Sequence, residues 1–283
     1  MSSIRYKIAT EDDILSLSEL FLNVYGEIYS EKELHWRYLN NPVQKGKLYN
    51  CIAITDCKEI VGHTGFIKHT FVINGKTYYG GLTVGSAVKK NNSGIFAPMY
   101  NYLEKSLGNE FDFLYGYPNQ NSYPFFIKLF GYAKLYSSML QIEPSNDFTF
   151  ESDKFNRIFD IIVSSSRHIE PDFLLWRIID NPLHKYYYYK YKDSIVFWKM
   201  YNENEIDIVG ISSVSSIVNI DREMTFPMNS RINILLTSEQ KRNKLKKEGF
   251  YPLMSSNNYV IKINRLISDF DPTFFQMLDL DLF

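Results

Sequence analysis

Cysteine is scarce: only Cys51 and Cys57 occur in 283 residues. They are too far apart for a C-x-x-C pair and have no histidine cluster beside them, so no metal site is expected. Cys51, in the apolar run Cys51-Ile52-Ala53-Ile54, reads as a buried thiol. No apolar run approaches the roughly 20 residues of a membrane span. The opening residues, MSSIRYKIATEDD, contain no apolar stretch of a secretion signal, so a cytoplasmic protein is the expectation. Charge of one sign is also missing: 31 Lys and Arg oppose 32 Asp and Glu, for a net charge of -1. The densest basic run, 241–247 (KRNKLKK), reads as a solvated helix face. Nucleic-acid binding calls for a broader positive surface and is not expected. The sequence also lacks a G-x-S-x-G elbow, a Walker loop and an H-E-x-x-H helix.

What is present is enough for a folded core, with 45% hydrophobic and 22% charged residues. The length fits one large domain or two of ordinary size. Thr10, with Asp13 three residues on, opens a helix whose apolar face carries Ile14, Leu17, Leu20, Phe21 and Val24. A second helix over 31–39 stops at Asn40-Asn41-Pro42. Strands are expected over 49–55 and 60–68, then a hairpin about Asn74-Gly75. The chain is organised around 83–132: a strand (83–88), a polar loop with Gly94, a helix (95–107), a strand (111–117) and a short helix ending at Gly131-Tyr132. A strand feeding a glycine loop and a helix N-terminus presents backbone N–H groups to an anion. The polar end of the second strand, with Asn119 and Asn121, supplies groups for the rest of a ligand. This pattern points to a nucleotide or coenzyme A site.

The second half repeats landmarks of the first. Trp36-Arg37 through Asn41-Pro42 and Trp176-Arg177 through Asn181-Pro182 both fit W-R-x-x-x-N-P. Ile60-Val61-Gly62 matches Ile208-Val209-Gly210, and Gly131-Tyr132 matches Gly249-Phe250. By itself the first pattern reads as a packing and helix-stop device, with Trp in a core and Arg on a carboxylate. Trp36 and Gly131 lie 95 positions apart, Trp176 and Gly249 only 73. The shortfall falls at 213–231, which holds no glycine loop, so the second copy is expected to have lost the phosphate cradle. The polar stretch 144–147 marks the boundary between a first module, 1–145, and a second, 146–283.

Strand, glycine loop, helix, strand and short helix ending in Gly-Tyr, with Phe113-Leu114-Tyr115-Gly116-Tyr117-Pro118-Asn119-Gln120-Asn121, resemble the GCN5-related N-acetyltransferase (GNAT) superfamily in its tandem form. The resemblance spans roughly 4–265. It implies an α+β fold of two fused modules, each a mixed, mainly antiparallel sheet flanked by helices. It further implies an acyl-CoA-dependent N- or O-acyltransferase, with acetyl-CoA as cosubstrate and a small molecule or sugar as acceptor. In that family the amides of the first strand bind the pantetheine arm, which points to Ser86, Ala87 and Val88. The loop amides bind the pyrophosphate, which points to Asn91, Asn92, Ser93, Gly94 and Ile95. Asn119 and Asn121 either contact pantetheine or cap the next helix. Asn91 replaces the usual Arg or Gln, and Phe96 a small residue. The tyrosine that protonates the leaving thiolate is replaced by Ile127, leaving Tyr123 as the nearest phenol. His63, His69 and Glu27 are candidate bases. Two alternatives remain: a GNAT-shaped scaffold without catalysis, and a Fem-type aminoacyl transferase. No motif addresses oligomeric state.

Overall fold

A computed structural model describes residues 3–73, 75–143, 145, 149, 152–164, 166–214, 223–224, 227, 229–253, 258–265 and 275–279. The chain divides into two compact units, and each is discontinuous. One comprises Met1–Lys134 and Val260–Ser268, the other Leu135–Tyr259 and Asp269–Phe283. The polar stretch 144–147 lies largely outside the described residues, and 135–145 cluster with the second unit.

The first unit runs β1 (Ile4–Ile8), α1 (Glu11–Leu15), α2 (Leu17–Tyr25), α3 (Glu31–Leu34), β2 (Asn50–Thr55), β3 (Ile60–Ile73), β4 (Lys76–Val88), α4 (Phe96–Leu107), β5 (Phe113–Gly116), α5 (Tyr123–Lys128) and β6 (Ala133–Lys134). The second runs β7 (Ser138–Ile142), α6 (Asp153–Val163), α7 (Pro171–Leu174), β8 (Tyr186–Tyr191), β9 (Ser194–Asn202), β10 (Glu205–Ser213), β11 (Arg231–Leu236), α8 (Glu239–Lys247) and β12 (Tyr251–Pro252). Strand β13 (Val260–Ile263) then returns to the first unit.

The two sheets follow one plan. The first has the order β1-β2-β3-β4-β5-β13-β6, the second β12-β7-β11-β10-β9-β8. Between these strands all described pairings are antiparallel except β4 with β5 and β10 with β11. A parallel pair needs a long crossover, and α4 supplies it in the first unit. Beside each parallel pair lies a strand from the other half of the sequence: β13 against β5, and β7 against β11. The expected α+β architecture of two mixed sheets flanked by helices is therefore the one observed.

Core formation follows the apolar spacing. Helix α4 turns Met99, Tyr100, Leu103 and Leu107 inward, and α6 buries Phe155, Ile158, Phe159 and Ile162. Cys51 is fully buried in the first core, as expected, and burial pushes its thiol up to about 12. The basic helix α8 buries only Leu245. The single helix expected after Thr10 is instead two, broken at Ser16, whose hydroxyl donates to the Asp12 carbonyl at 3.0 Å. Such back-bonding competes with the helical ladder. Among the described residues, no helix is long and apolar enough to cross a membrane.

Both W-R-x-x-x-N-P segments leave their short α-helices through one π-helical turn, His35–Leu39 and Leu175–Ile179. The Asn40 N–H donates to the His35 carbonyl at 2.8 Å, and the Asp180 N–H to the Leu175 carbonyl at 2.9 Å. Asn41 and Asn181 then accept, through Oδ1, from the backbone two residues on, each at 2.9 Å. Trp36 and Trp176 are both buried. Arg37 lies over the Tyr29 ring, 5.0 Å from its centroid, and Arg177 donates to the Leu278 carbonyl. Gly131 and Gly249 both hold positive φ at helix ends, followed by buried Tyr132 and Phe250. The Ile-Val-Gly match fails: Ile60-Val61-Gly62 lies on β3 and Ile208-Val209-Gly210 on β10, strands of different rank in the two sheets. The segment 213–231, expected to lack a cradle, lies mostly outside the described residues.

Candidate active site

The parallel pairing of β4 with β5 is short. It runs Gly80–Phe113, Gly81–Leu114 and Leu82–Tyr115. Strand β4 continues to Val88, so past Leu82 it leaves the ladder with β5 while staying paired with β3. The cause is local. Gly85 adopts φ +60, and the β3–β4 register shifts there. A residue at left-handed φ inside a strand makes a bulge and redirects its peptide groups.

Side chains beneath the bulge hold it. His63 Nδ1 lies 2.7 Å from the Gly85 carbonyl, and Nε2 lies 3.0 Å from Asn50 Oδ1. Burial pushes His63 down to about 4, and the Arg37 cation adds to this. The ring is therefore neutral at pH 7 and has one N–H. If Nδ1 donates to Gly85, the Asn50 carboxamide must turn its NH2 group to Nε2. Tyr38 closes the other side: a Cβ on Gly85 would come within 2.4 Å of its hydroxyl. Rings of Phe21 and Tyr38 meet His63 edge-on, each at 5.5 Å. His63 is fully buried, with both ring nitrogens engaged, and it holds the Gly85 carbonyl.

The remaining expected residues fall into three groups. Ser86, Ala87 and Val88 form the end of β4; the Ser86 hydroxyl bonds that of Thr64 at 2.9 Å, and Ala87 is fully buried. Asn91, Asn92, Ser93, Gly94 and Ile95 lie in the 3-10 turn Lys90–Ile95 that leads into α4, so the loop is a compact turn. Asn91, Ser93 and Gly94 are exposed, Asn92 is half-buried, and Ile95 is buried. A Cβ on Gly94 would meet no protein atom within 4 Å, and Gly94 does not have positive φ. Neither packing nor backbone conformation explains this glycine.

Asn119 closes the turn before α5: its Oδ1 accepts from the Asn121 and Ser122 backbones, both at 3.0 Å. Asn121 sits exposed in the same turn. Tyr123 opens α5, half-buried against the first core. Glu27 is exposed and accepts from the Tyr29 hydroxyl at 3.2 Å. His69 is buried, bonded to the Tyr115 hydroxyl at the last residue of the parallel pairing. Glu27, His63 and Tyr123 are not linked to one another by any described hydrogen bond.

Three features escaped the sequence reading. Gly85 is signalled only by being a glycine inside an apolar strand. Tyr38 and Asn50 carried no signal. A buried pair, Tyr100 on α4 and Tyr132 after α5, shares a hydroxyl–hydroxyl bond, and burial raises both phenols. A separate polar cavity of about 480 Å³ adjoins Lys89, which is paired with Glu59 at 2.6 Å. Among the described residues no group of three or more His, Cys, Asp or Glu could hold a metal ion.

The fold, a mixed sheet with a bulged strand and a helix starting just beyond it, is shared with solved structures. It matches a GCN5-related N-acetyltransferase from Kribbella flavida with TM-score 0.62 and 9% identity, over 93% of this chain and 71% of that one. A GCN5-related N-acetyltransferase from Anabaena variabilis matches with TM-score 0.61 and 8% identity, over 92% and 73%. Eis1 from Mycobacterium abscessus matches with TM-score 0.53 and 10% identity, over 92% and 73%. No protein-family model matches the sequence, and no curated protein matches it.

Proposed function

We propose that the chain is an acyl-CoA-dependent acyltransferase whose first unit moves an acetyl group from acetyl-CoA to an amine or hydroxyl of a small molecule or sugar. The observation that carries this reading is the opening of β4 from β5 past Leu82 and Tyr115, at a bulge held by His63. A pantetheine arm carries amide groups and needs strand backbone that is not already paired. Residues 86–88 would offer it. The exposed turn at 91–94 would take the pyrophosphate, which gives Gly94 a reason that packing does not. Acetyl-CoA supplies the activated acyl group. The chain's own part is to fix its carbonyl against the bulged strand and to exclude water. Tyr123, at the start of α5, is the proposed proton donor to the departing thiolate, and Glu27 the proposed acceptor of the nucleophile's proton.

Calorimetric titration with acetyl-CoA tests the site. Gly94→Val should weaken binding at least about tenfold, because a branched side chain would stand where phosphate oxygens approach, while the melting temperature stays near that of the wild type. Unchanged affinity would remove Gly94 from the site. A second reading, a scaffold without catalysis, draws on Phe96. Its ring packs edge-on to Phe125 at 5.6 Å and Phe130 at 5.8 Å at the start of α4, where the family has a small residue. Absence of any acetyl-CoA binding by the wild type would favour it. A requirement for aminoacyl-tRNA would favour the Fem-type alternative.

A further inference from the structure

The second sheet opens as the first does. Pairing of β10 with β11 ends at Ile208 and Ile234, while β10 runs on to Ser213. Here the opening is filled by residues 275–279. The Gln276 carboxamide faces the Ile211 backbone with both ends. Its Oε1 accepts from the Ile211 N–H at 2.8 Å, and its Nε2 donates to the Ile211 carbonyl at 2.9 Å. A side-chain amide thus takes the part of a neighbouring strand's peptide group. The segment is fixed at further points. The Arg177 Nε–H donates to the Leu278 carbonyl at 3.2 Å, and the Gln276 N–H donates to Asp279 Oδ2 at 2.9 Å. Asp279, 1% exposed, is ion-paired with Arg167. Phe275 and Leu278 are buried as well. Gly210 permits the approach, since a Cβ there would lie 3.1 Å from Leu278 and 3.2 Å from Gln276 Oε1. The space left over is about 10 Å³, room for one water at most.

We propose that the slot between β10 and β11 is a peptide-binding site whose ligand is the chain's own segment 275–279, with the Gln276 carboxamide as the group it reads. The amide complementarity is specific: one donor and one acceptor meet one acceptor and one donor, all buried. An aliphatic side chain at 276 would fill the volume and leave both Ile211 groups without a partner. The parallel ladder of the first sheet ends in the same way, at Leu82 and Tyr115, and the proposal rests on the acyltransferase reading only in that comparison.

The test is amide exchange at Ile211 in the full-length protein, with the Ile158 amide on α6 as the control for global unfolding. Wild type should protect Ile211 at pH 5 and at pH 8, after correction for intrinsic rates. Gln276→Ala should exchange at least about tenfold faster at both, having lost two neutral hydrogen bonds. Gln276→Glu should be protected at pH 5 and exposed at pH 8. A protonated carboxyl reproduces the donor and the acceptor, whereas a carboxylate is acceptor-only and faces the Ile211 carbonyl. This pH-dependent rescue within one variant separates loss of the contact from misfolding. Equal Ile211 protection in all three proteins, or no recovery of Gln276→Glu at pH 5, would overturn the proposal. The readout uses no coenzyme, so it stands or falls separately from acetyl-CoA binding at the first slot.

Discussion

Gly85 is fixed by two independent demands, on its backbone and on its neighbours. Its φ of +60 costs a non-glycine residue about 1–2 kcal/mol. A Cβ 2.4 Å from the Tyr38 hydroxyl would add an overpacking cost of about 1–3 kcal/mol. Gly85→Ala should therefore lower stability by a few kcal/mol on these scales. Tyr38→Phe in the same chain should recover part of the loss, because it removes the atom that clashes. Chemical denaturation of the two singles and the double measures the coupling, and strict additivity would show that the hydroxyl is not the obstacle. His63 makes a separate prediction about pH. Its folded value near 4 lies below the ordinary 6.5 because burial disfavours the cation. Between those values the unfolded chain binds the extra proton and the folded chain does not, so stability is complete above about 6.5 and falls as pH drops toward 4. Linkage gives a loss on the order of 2 kcal/mol between pH 7 and pH 5 from this ring alone. His63→Gln, which retains a donor but does not titrate, should flatten that part of the stability profile. An unaltered acid slope would place the effect on other groups.

At the scale of elements, the sequence was most informative where periodicity and stop signals coincide. The basic helix α8 and the glycines after α5 and α8 stand where the pattern placed them. The W-R-x-x-x-N-P segments were recognisable as helix stops. Their π-helical turn was not, because one extra residue per turn leaves no mark on an apolar pattern this short. The long hairpin of β3 and β4 was fragmented in the sequence because Gly80 and Gly81 look like breaks. In the sheet, Gly80 and Gly81 admit the rings of Phe113 and Phe111 and the side chain of Leu114: a Cβ on Gly80 would lie 2.6 Å from Phe113, and one on Gly81 2.7 Å from Leu114. Such close approach is a tertiary demand that no local window contains. The same limit hid the bulge. Gly94 announces itself beside polar residues, whereas Gly85 gains its meaning only from Tyr38 and His63, which arrive from elsewhere in the sequence. Segment 275–279 was likewise illegible, since nothing marks Gln276 as the partner of a strand backbone.

For the whole molecule, the governing feature is the position of β13 and β7 within the sheets. Without β13, the first sheet ends at β5, whose backbone groups from Phe113 to Gly116 would lack their antiparallel partner. Without β7, β11 and β12 lose the strand between them. Fragments cut within 144–151 and expressed singly should therefore aggregate through bare strand edges, while coexpression of the two should yield a soluble complex on gel filtration. A soluble, monomeric, folded N-terminal fragment would contradict that dependence. The arrangement also imposes an order in time. A nascent chain adds roughly 5–20 residues per second, so β5 is made many seconds before the strand that will cover it. Through that interval an apolar, unpaired edge is present at the ribosome. For this protein the hazardous period of synthesis begins once β5 is made, and it ends only when residues 260–263 emerge.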